Sequence, residues 1–285
     1  MFRDLSHREI TCICMDERKR KLFVGDQKGR LFSINIKNGA KMKKFKKSKA
    51  KGADGEKKKE KNDVSSLYYW GSKAILISSS WDGKVRLYDD STADQEGSKR
   101  YTMKKHKMSV NFIDFKEDKQ LCASCSDDSS IVIYNYGSYR QEGILKCPIE
   151  DGFQYPSELK IVKFLAPHDC LVTADIDGFL HFFAVTPSPR KNEHLCKVTN
   201  MNISQVGTKV NYPIRAIDFD ADNNILYTGD EMGWIQRWDL TVLFAKLQEV
   251  NRTESKAAYK IQPDLTNLDE LGGFMDNASK KASIA

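Results

Sequence analysis

An Asp-Ile-Asp-Gly run from Asp175 to Gly178 has the opening of a calcium loop, which gathers carboxylate and carbonyl oxygens around a hard cation. Such a loop closes with a bidentate Glu at its twelfth position. Here that position is Thr186, which has no carboxylate, so the run reads as a turn. Cys122 and Cys125 form a CxxC, and Cys12 and Cys14 a CxC. Zinc takes four convergent ligands, usually from loops. Both pairs instead fall in stretches that alternate like strands, where a period of two sends Cys122 and Cys125 to opposite faces. They read as small core thiols. The histidines are His7, His106, His168, His181 and His194, and none belongs to an HExxH motif. GxSxG, GxxxxGK[ST] and a GxGxxG after a strand are also missing from the sequence. Acid-base or nucleophilic chemistry needs a poised group with a partner that orients it. The expectation is therefore a non-enzyme, with no catalytic residue, metal or cofactor.

The most chemically distinct residues are lysines. Positions 41 to 61 hold eleven lysines against three acids, an excess of +8. The whole chain carries +7, so everything outside this segment is close to neutral. The segment cannot bury enough apolar surface to fold alone, so it reads as a loop insertion spanning 41–62. Lys43, Lys44, Lys46, Lys47, Lys57, Lys58 and Lys59 form a candidate tether for a polyanion, against the plainer reading of a solvated insertion. Beyond Phe45 no aromatic residue interleaves these lysines, which disfavours base stacking and sequence-specific nucleic-acid binding.

The chain has 285 residues, with 40% hydrophobic and 30% charged, enough to bury a core. No apolar run approaches the roughly 18 to 20 residues of a membrane span, and no membrane partner is expected. The opening MFRDLSHREI is charged where a secretory signal is apolar. These features, with an odd count of seven cysteines, lead us to expect a soluble intracellular protein with reduced thiols.

What must position all of these residues is a repeat. LFVGDQKGRLFSIN, ILISSSWDGKVRLYD, LCASCSDDSSIVIYN, LVTADIDGFLHFFA and ILYTGDEMGWIQRWD share one phrase: an apolar stretch, an acidic small-residue turn, then alternation ending in an aromatic. Anchored on Gly29, Gly83, Ser129, Gly178 and Gly233, the copies are 54, 46, 49 and 55 residues apart. Each reads as a β-hairpin, with Asp26, Gly29, Asp82, Gly83, Asp128, Asp177, Gly178, Asp230 and Gly233 as the turn residues. A further strand precedes each copy: ITCICMD, VSSLYYW, VNFIDFK, LKIVKFL and IRAIDFD. A weaker one follows several, as in RYTMKKH and EGILKCP. Four antiparallel strands per unit is the plan of a propeller blade.

On these residues the sequence resembles the WD-repeat family of β-propellers. Blades 2 and 5 match best, ending in Tyr88-Asp89 and Trp238-Asp239. In that family a His, the turn Asp, a strand Ser or Thr and a Trp form a buried hydrogen-bond network. The resemblance implies one in blade 3 from His106, Asp128 and Ser124, with Tyr134 in the Trp position. Residues 1 to 140 also resemble the middle of large ciliary WD-repeat proteins that elsewhere carry EF-hands. That resemblance implies an axonemal scaffold near dyneins or radial spokes. The implied partners are tubulin, other WD-repeat proteins, and dynein- or spoke-associated subunits.

The expectation is thus an all-β WD-repeat propeller with about five recognisable blades in 1–240, and a short helix and extended tail in 241–285. Leu240, Leu243, Phe244, Leu247 and Val250 share one face of that helix. Five blades either close on themselves through the N-terminal strand or belong to a larger propeller completed by a partner chain. The expected function is non-catalytic scaffolding in the cilium or flagellum axoneme. The alternative is an RNA-associated scaffold of the nucleolus or cytoplasm that uses the lysine-rich loop.

Overall fold

The computed structural model describes residues 9–45, 63–92, 94–148, 157–185, 193–199, 201–203 and 209–256. They form two compact units, 1–144 and 145–285. Each is built from meandering antiparallel sheets.

In the first unit, blade 1 comprises β1 (Ile10–Met15), β2 (Lys21–Asp26), β3 (Leu31–Asn35) and β4 (Lys41–Phe45). Blade 2 comprises β5 (Val64–Trp70), β6 (Ile75–Ser80), β7 (Lys84–Asp89) and β8 (Glu96–Met103). Blade 3 comprises β9 (Val110–Lys116), β10 (Leu121–Ser126), β11 (Ser130–Asn135) and β12 (Arg140–Lys146), the last two residues of which cross the unit boundary. The leading strands β1, β5 and β9 lie side by side, and the remaining strands fan outward from them. The segment read as a loop from 41 therefore begins as a strand. Its alternation is hidden because Lys43 occupies an inward position: Lys43 and Phe45 are buried, whereas Lys41, Met42 and Lys44 are exposed.

Blades 1 and 2 are also joined at their outer edges. β4 runs parallel to β8, pairing Lys44 with Glu96 and Phe45 with Gly97, so eight strands make one sheet. This pairing covers two strand edges that would otherwise stand open to another chain. Between blades 1 and 2, Phe23, Leu31 and Phe45 pack against Val64, Leu67, Leu76 and Tyr88. Between blades 2 and 3, Trp70, Ile77 and Leu87 meet Val110, Ile113, Phe115 and Val132. The Trp70 and Phe115 rings lie 5.1 Å apart. Each such buried side chain contributes roughly 1.5 to 3 kcal/mol.

In the second unit, blade 4 comprises β13 (Leu159–Phe164), β14 (Cys170–Asp175), β15 (Phe179–Ala184) and β16 (Glu193–Thr199). A small hairpin, β17 (Met201–Ile203) with β18 (Lys209–Asn211), follows. Blade 5 has three strands among the described residues, β19 (Ile214–Asp220), β20 (Ile225–Asp230) and β21 (Ile235–Asp239), and then helix α1 (Thr241–Lys256). The stretch of chain between the blade 4 hairpin and blade 5 thus supplies the fourth strand of blade 4. The helix face closes the core of this unit. Leu240, Leu243 and Phe244 are buried with Ile161, Phe182, Leu226 and Trp238, and Leu247 is half-buried beside them. Phe244 stacks on His168 at 3.6 Å, and His168 Nε2 lies 2.9 Å from Asn224 Oδ1.

Candidate interaction surface

The five hairpin turns share one construction. The amide of Gly29, Gly83, Ser129, Gly178 or Gly233 donates to the carbonyl three residues earlier, at 3.0 to 3.4 Å. All five residues have positive φ, from 61 to 85°. The amide that follows the second strand reaches back to the residue before the leading strand: Gln27 to Glu9, Trp81 to Asp63, Asp127 to Ser109, Ile176 to Glu158 and Glu231 to Pro213. Each turn is thereby held against the entry of its own blade, which firms the turn side of each unit.

Two capping schemes hold these turns. In blades 1, 4 and 5 an Asp ends the second strand, and its Oδ1 accepts two backbone amides. Asp26 takes Lys28 and Arg30, Asp175 takes Asp177 and Phe179, and Asp230 takes Met232 and Trp234. Blades 2 and 3 have Ser80 and Ser126 at that place, each accepting the amide two residues on. Their acids are shifted toward the tip and hold side chains. Asp82 faces Arg86 and Lys84, and Asp128 faces His106. Asp177 accepts a hydrogen bond from Ser157. Asp175 was absent from the expected turn set, although the spacing Asp-x-x-Gly it shares with Asp26 and Asp230 could have identified it. Its second oxygen lies 3.1 Å from His181 Nε2 in the interior, so this carboxylate faces inward and not toward a surface cation.

The network in blade 3 is complete except at its last member. His106 Nε2 lies 2.8 Å from Ser124 Oγ, and Nδ1 lies 3.2 Å from both Asp128 Oδ2 and Ser130 Oγ. The Lys107 amide donates to Asp128 Oδ2 at 2.8 Å. Tyr134, in the Trp position, leaves its buried hydroxyl without a hydrogen-bond partner among the described residues. Blade 5 holds the complementary half, Trp238 Nε1 donating to Thr228 Oγ1 at 3.0 Å. Burial would raise the Asp128 carboxyl, but hydrogen bonds from His106, Ser130 and the Lys107 amide outweigh it and hold the group well below the ordinary range. A carboxyl lowered by folding contributes stability above its unfolded value of about 4, and that contribution is lost as pH falls through the depressed folded value. Asp128→Asn should therefore cost about 1 to 3 kcal/mol at neutral pH and flatten the loss of stability below about pH 4. Unfolding midpoints measured across that range would show it; parallel curves for the two proteins would contradict it.

The turn side of the first unit carries apolar side chains in solvent. Trp81 is 40% exposed and Met108 51%, with exposed Lys104, Lys105 and Lys107 beside them in sequence. In the second unit Ile176, Met232 and Trp234 are exposed at the turns. The lysines expected to tether a polyanion do not behave alike. Lys43 is buried, with Nζ 2.7 Å from the Thr92 carbonyl oxygen and 3.3 Å from Asp90 Oδ1, so it is engaged inside the fold and unavailable to a polyanion. Lys44 is exposed. Lys46, Lys47, Lys57, Lys58 and Lys59 lie outside the described residues.

Residues 57–89 and 97–135 match the family described as WD domain, G-beta repeat. These segments are WD repeats. The first segment covers β5 to β7 of blade 2, and the second runs from its outer strand β8 through β9 to β11 of blade 3. The WD repeats fit a β-propeller fold and suggest a protein-interaction scaffold. A curated relative, peptidyl-prolyl cis-trans isomerase CYP71 of Arabidopsis thaliana, is 24% identical over 200 residues, which is 69% of this chain. The chain spans 27% of that relative's length.

Proposed function

We propose that this WD-repeat chain is a non-catalytic scaffold of the ciliary axoneme, bound to doublet microtubules or to the dynein and radial-spoke complexes they carry. The observation that carries the scaffold reading is the turn side of the first unit. The blades bury their own cores, and this side exposes Trp81, Met108 and three neighbouring lysines to other proteins. The axonemal setting rests on the resemblance of residues 1 to 140 to ciliary WD-repeat proteins. Lys44 and the lysines that follow it would add attraction to acidic tubulin surfaces. A partner chain that completes the propeller is part of this reading. It is supported by Ile13 and Met15 of β1, 59% and 54% exposed, and by edge strand β21, where Ile235 is 77% exposed. The isomerase activity named for the plant relative is not carried to this chain.

Fractionation of ciliated cells expressing the tagged chain tests the setting. Detergent and high-salt washes should leave it with the axonemes, and the variant Lys57→Gln/Lys58→Gln/Lys59→Gln should fold normally but elute at lower salt. Complete release by detergent, or RNase-sensitive retention in nucleoli, would favour the RNA-associated alternative.

A further inference from the structure

We propose that the turn side of blades 2 and 3 is a docking surface for an acidic protein segment that carries a bulky apolar anchor. The site is made where the blade 2 turn meets the entry to blade 3. Gly83 has φ of +76°, and a Cβ there would come within 3.0 Å of the Met108 carbonyl oxygen and 3.4 Å of that of His106. The turn and the 106–108 strap are thus in backbone contact, which brings Trp81 and Met108 onto adjoining stretches of chain. Both backbones are held in place. The Trp81 amide donates to Asp63 O at 3.0 Å, while the strap is pinned through His106 and the Lys107 amide to Asp128. A surface ordered before binding loses little entropy when a partner arrives.

The side chains specify the partner. An exposed Trp and an exposed Met on adjoining stretches of chain offer polarisable apolar surface, the kind that anchors an interface. Lys104, Lys105 and Lys107, on the same stretch of chain as Met108, add exposed positive charge. Asp82 is matched by Arg86 and Lys84, and the three lysines outnumber the remaining nearby acids, Asp127, hydrogen-bonded by Asn111 Nδ2 at 2.6 Å, and Asp128, held by His106. The surplus charge is therefore positive, which favours an acidic partner and speeds its approach. A single Trp beside a thioether suits an aliphatic or aromatic side chain better than a run of stacked bases.

This inference rests on the scaffold reading, and the test keeps the two apart. The full chain is titrated into a short fluorescein-labelled peptide of Asp and Glu around a central Leu-Phe pair, and anisotropy is followed. Controls replace the pair with Ser-Ser, exchange the acids for Lys, or use labelled oligo(U). The anchored acidic peptide should bind about tenfold more tightly than the Ser-Ser control. W81A/M108A should abolish that difference. K104E/K105E/K107E should weaken binding at least about tenfold at low ionic strength and remove its salt dependence. The substituted side chains are all exposed, so both variants should keep the parent melting temperature; should W81A/M108A not, the lysine variant decides alone. No binding of the acidic peptide, equal binding of the Ser-Ser control, tighter binding of oligo(U), or unchanged binding by the variants would each overturn the proposal. Axonemal retention that persists after such a failure would leave the scaffold reading standing and remove only this surface.

Discussion

Asp90→Asn should destabilise the first unit by about 3 to 5 kcal/mol, the cost of leaving a buried cation without its counter-charge. Asp90 follows β7, and its side chain is 1% exposed. Lys21 Nζ from β2 lies 2.6 Å from its Oδ2, Lys43 Nζ from β4 lies 3.3 Å from its Oδ1, and the Tyr69 hydroxyl donates to Oδ2 at 3.2 Å. One carboxylate therefore joins blade 1 to blade 2 at two points, through Lys21 and Lys43, while Tyr69 holds it within blade 2. With asparagine in its place, Lys43, 6% exposed, remains beneath the sheet with only carbonyl oxygens around it. Adding Lys43→Met should recover most of the loss, because removing both members of a buried pair is far cheaper than removing one. Lys21→Gln should cost less, about 1 kcal/mol, since this side chain is 23% exposed. Urea or thermal unfolding of the four proteins measures the series. A loss below about 1 kcal/mol for Asp90→Asn would mean that the cluster is not buried as described.

Gly178→Ala should be the most damaging of the turn glycine substitutions, at about 3 kcal/mol or more. Gly178 has φ of +81°, which costs an L-residue about 1 to 2 kcal/mol by itself. An added Cβ would also come within 2.5 Å of the Tyr212 carbonyl oxygen, a backbone atom that cannot swing aside as a side chain can. Gly83→Ala meets a backbone oxygen at 3.0 Å and should fall between. Gly233→Ala has the same kind of φ, +85°, but nothing within 4 Å, and should cost only the conformational term of about 1 kcal/mol. Calorimetric melting of the three variants should rank them in that order. Equal losses for Gly178→Ala and Gly233→Ala would show that crowding at Tyr212 plays no part. Ser129 shows that the position tolerates a side chain where space allows, since it sits there with φ of +61°.

The leading strands and turns were legible because their signals are local. Period-two alternation marks β1, β5, β9, β13 and β19 directly, and the turn positions need residues that accept positive φ or cap amides. The His106, Asp128 and Ser124 network was legible through family resemblance, since nothing in the spacing alone brings His106 to Asp128. Outer strands were harder. β4 is written in lysines, and its inward Lys43 is explained only by Asp90, which is distant in sequence. β16 carries Glu, His and Lys and lies beyond a Pro-containing stretch, so no hydrophobic rhythm announces it. The parallel pairing of β4 with β8 and the approach of the Gly83 turn to the 106–108 strap are tertiary facts. They depend on how sheets pack, and no local pattern encodes them.

The most direct test of the blade architecture is amide hydrogen exchange along the intact chain. The second strand of each blade, like the third strand of blades 1 to 4, is hydrogen-bonded on both sides, so Lys21–Asp26, Ile75–Ser80, Leu121–Ser126, Cys170–Asp175 and Ile225–Asp230 should be among the slowest-exchanging segments. Edge strand β21 and the turn tips should exchange faster. Protection concentrated in α1, or fast exchange through those five strands, would contradict the account.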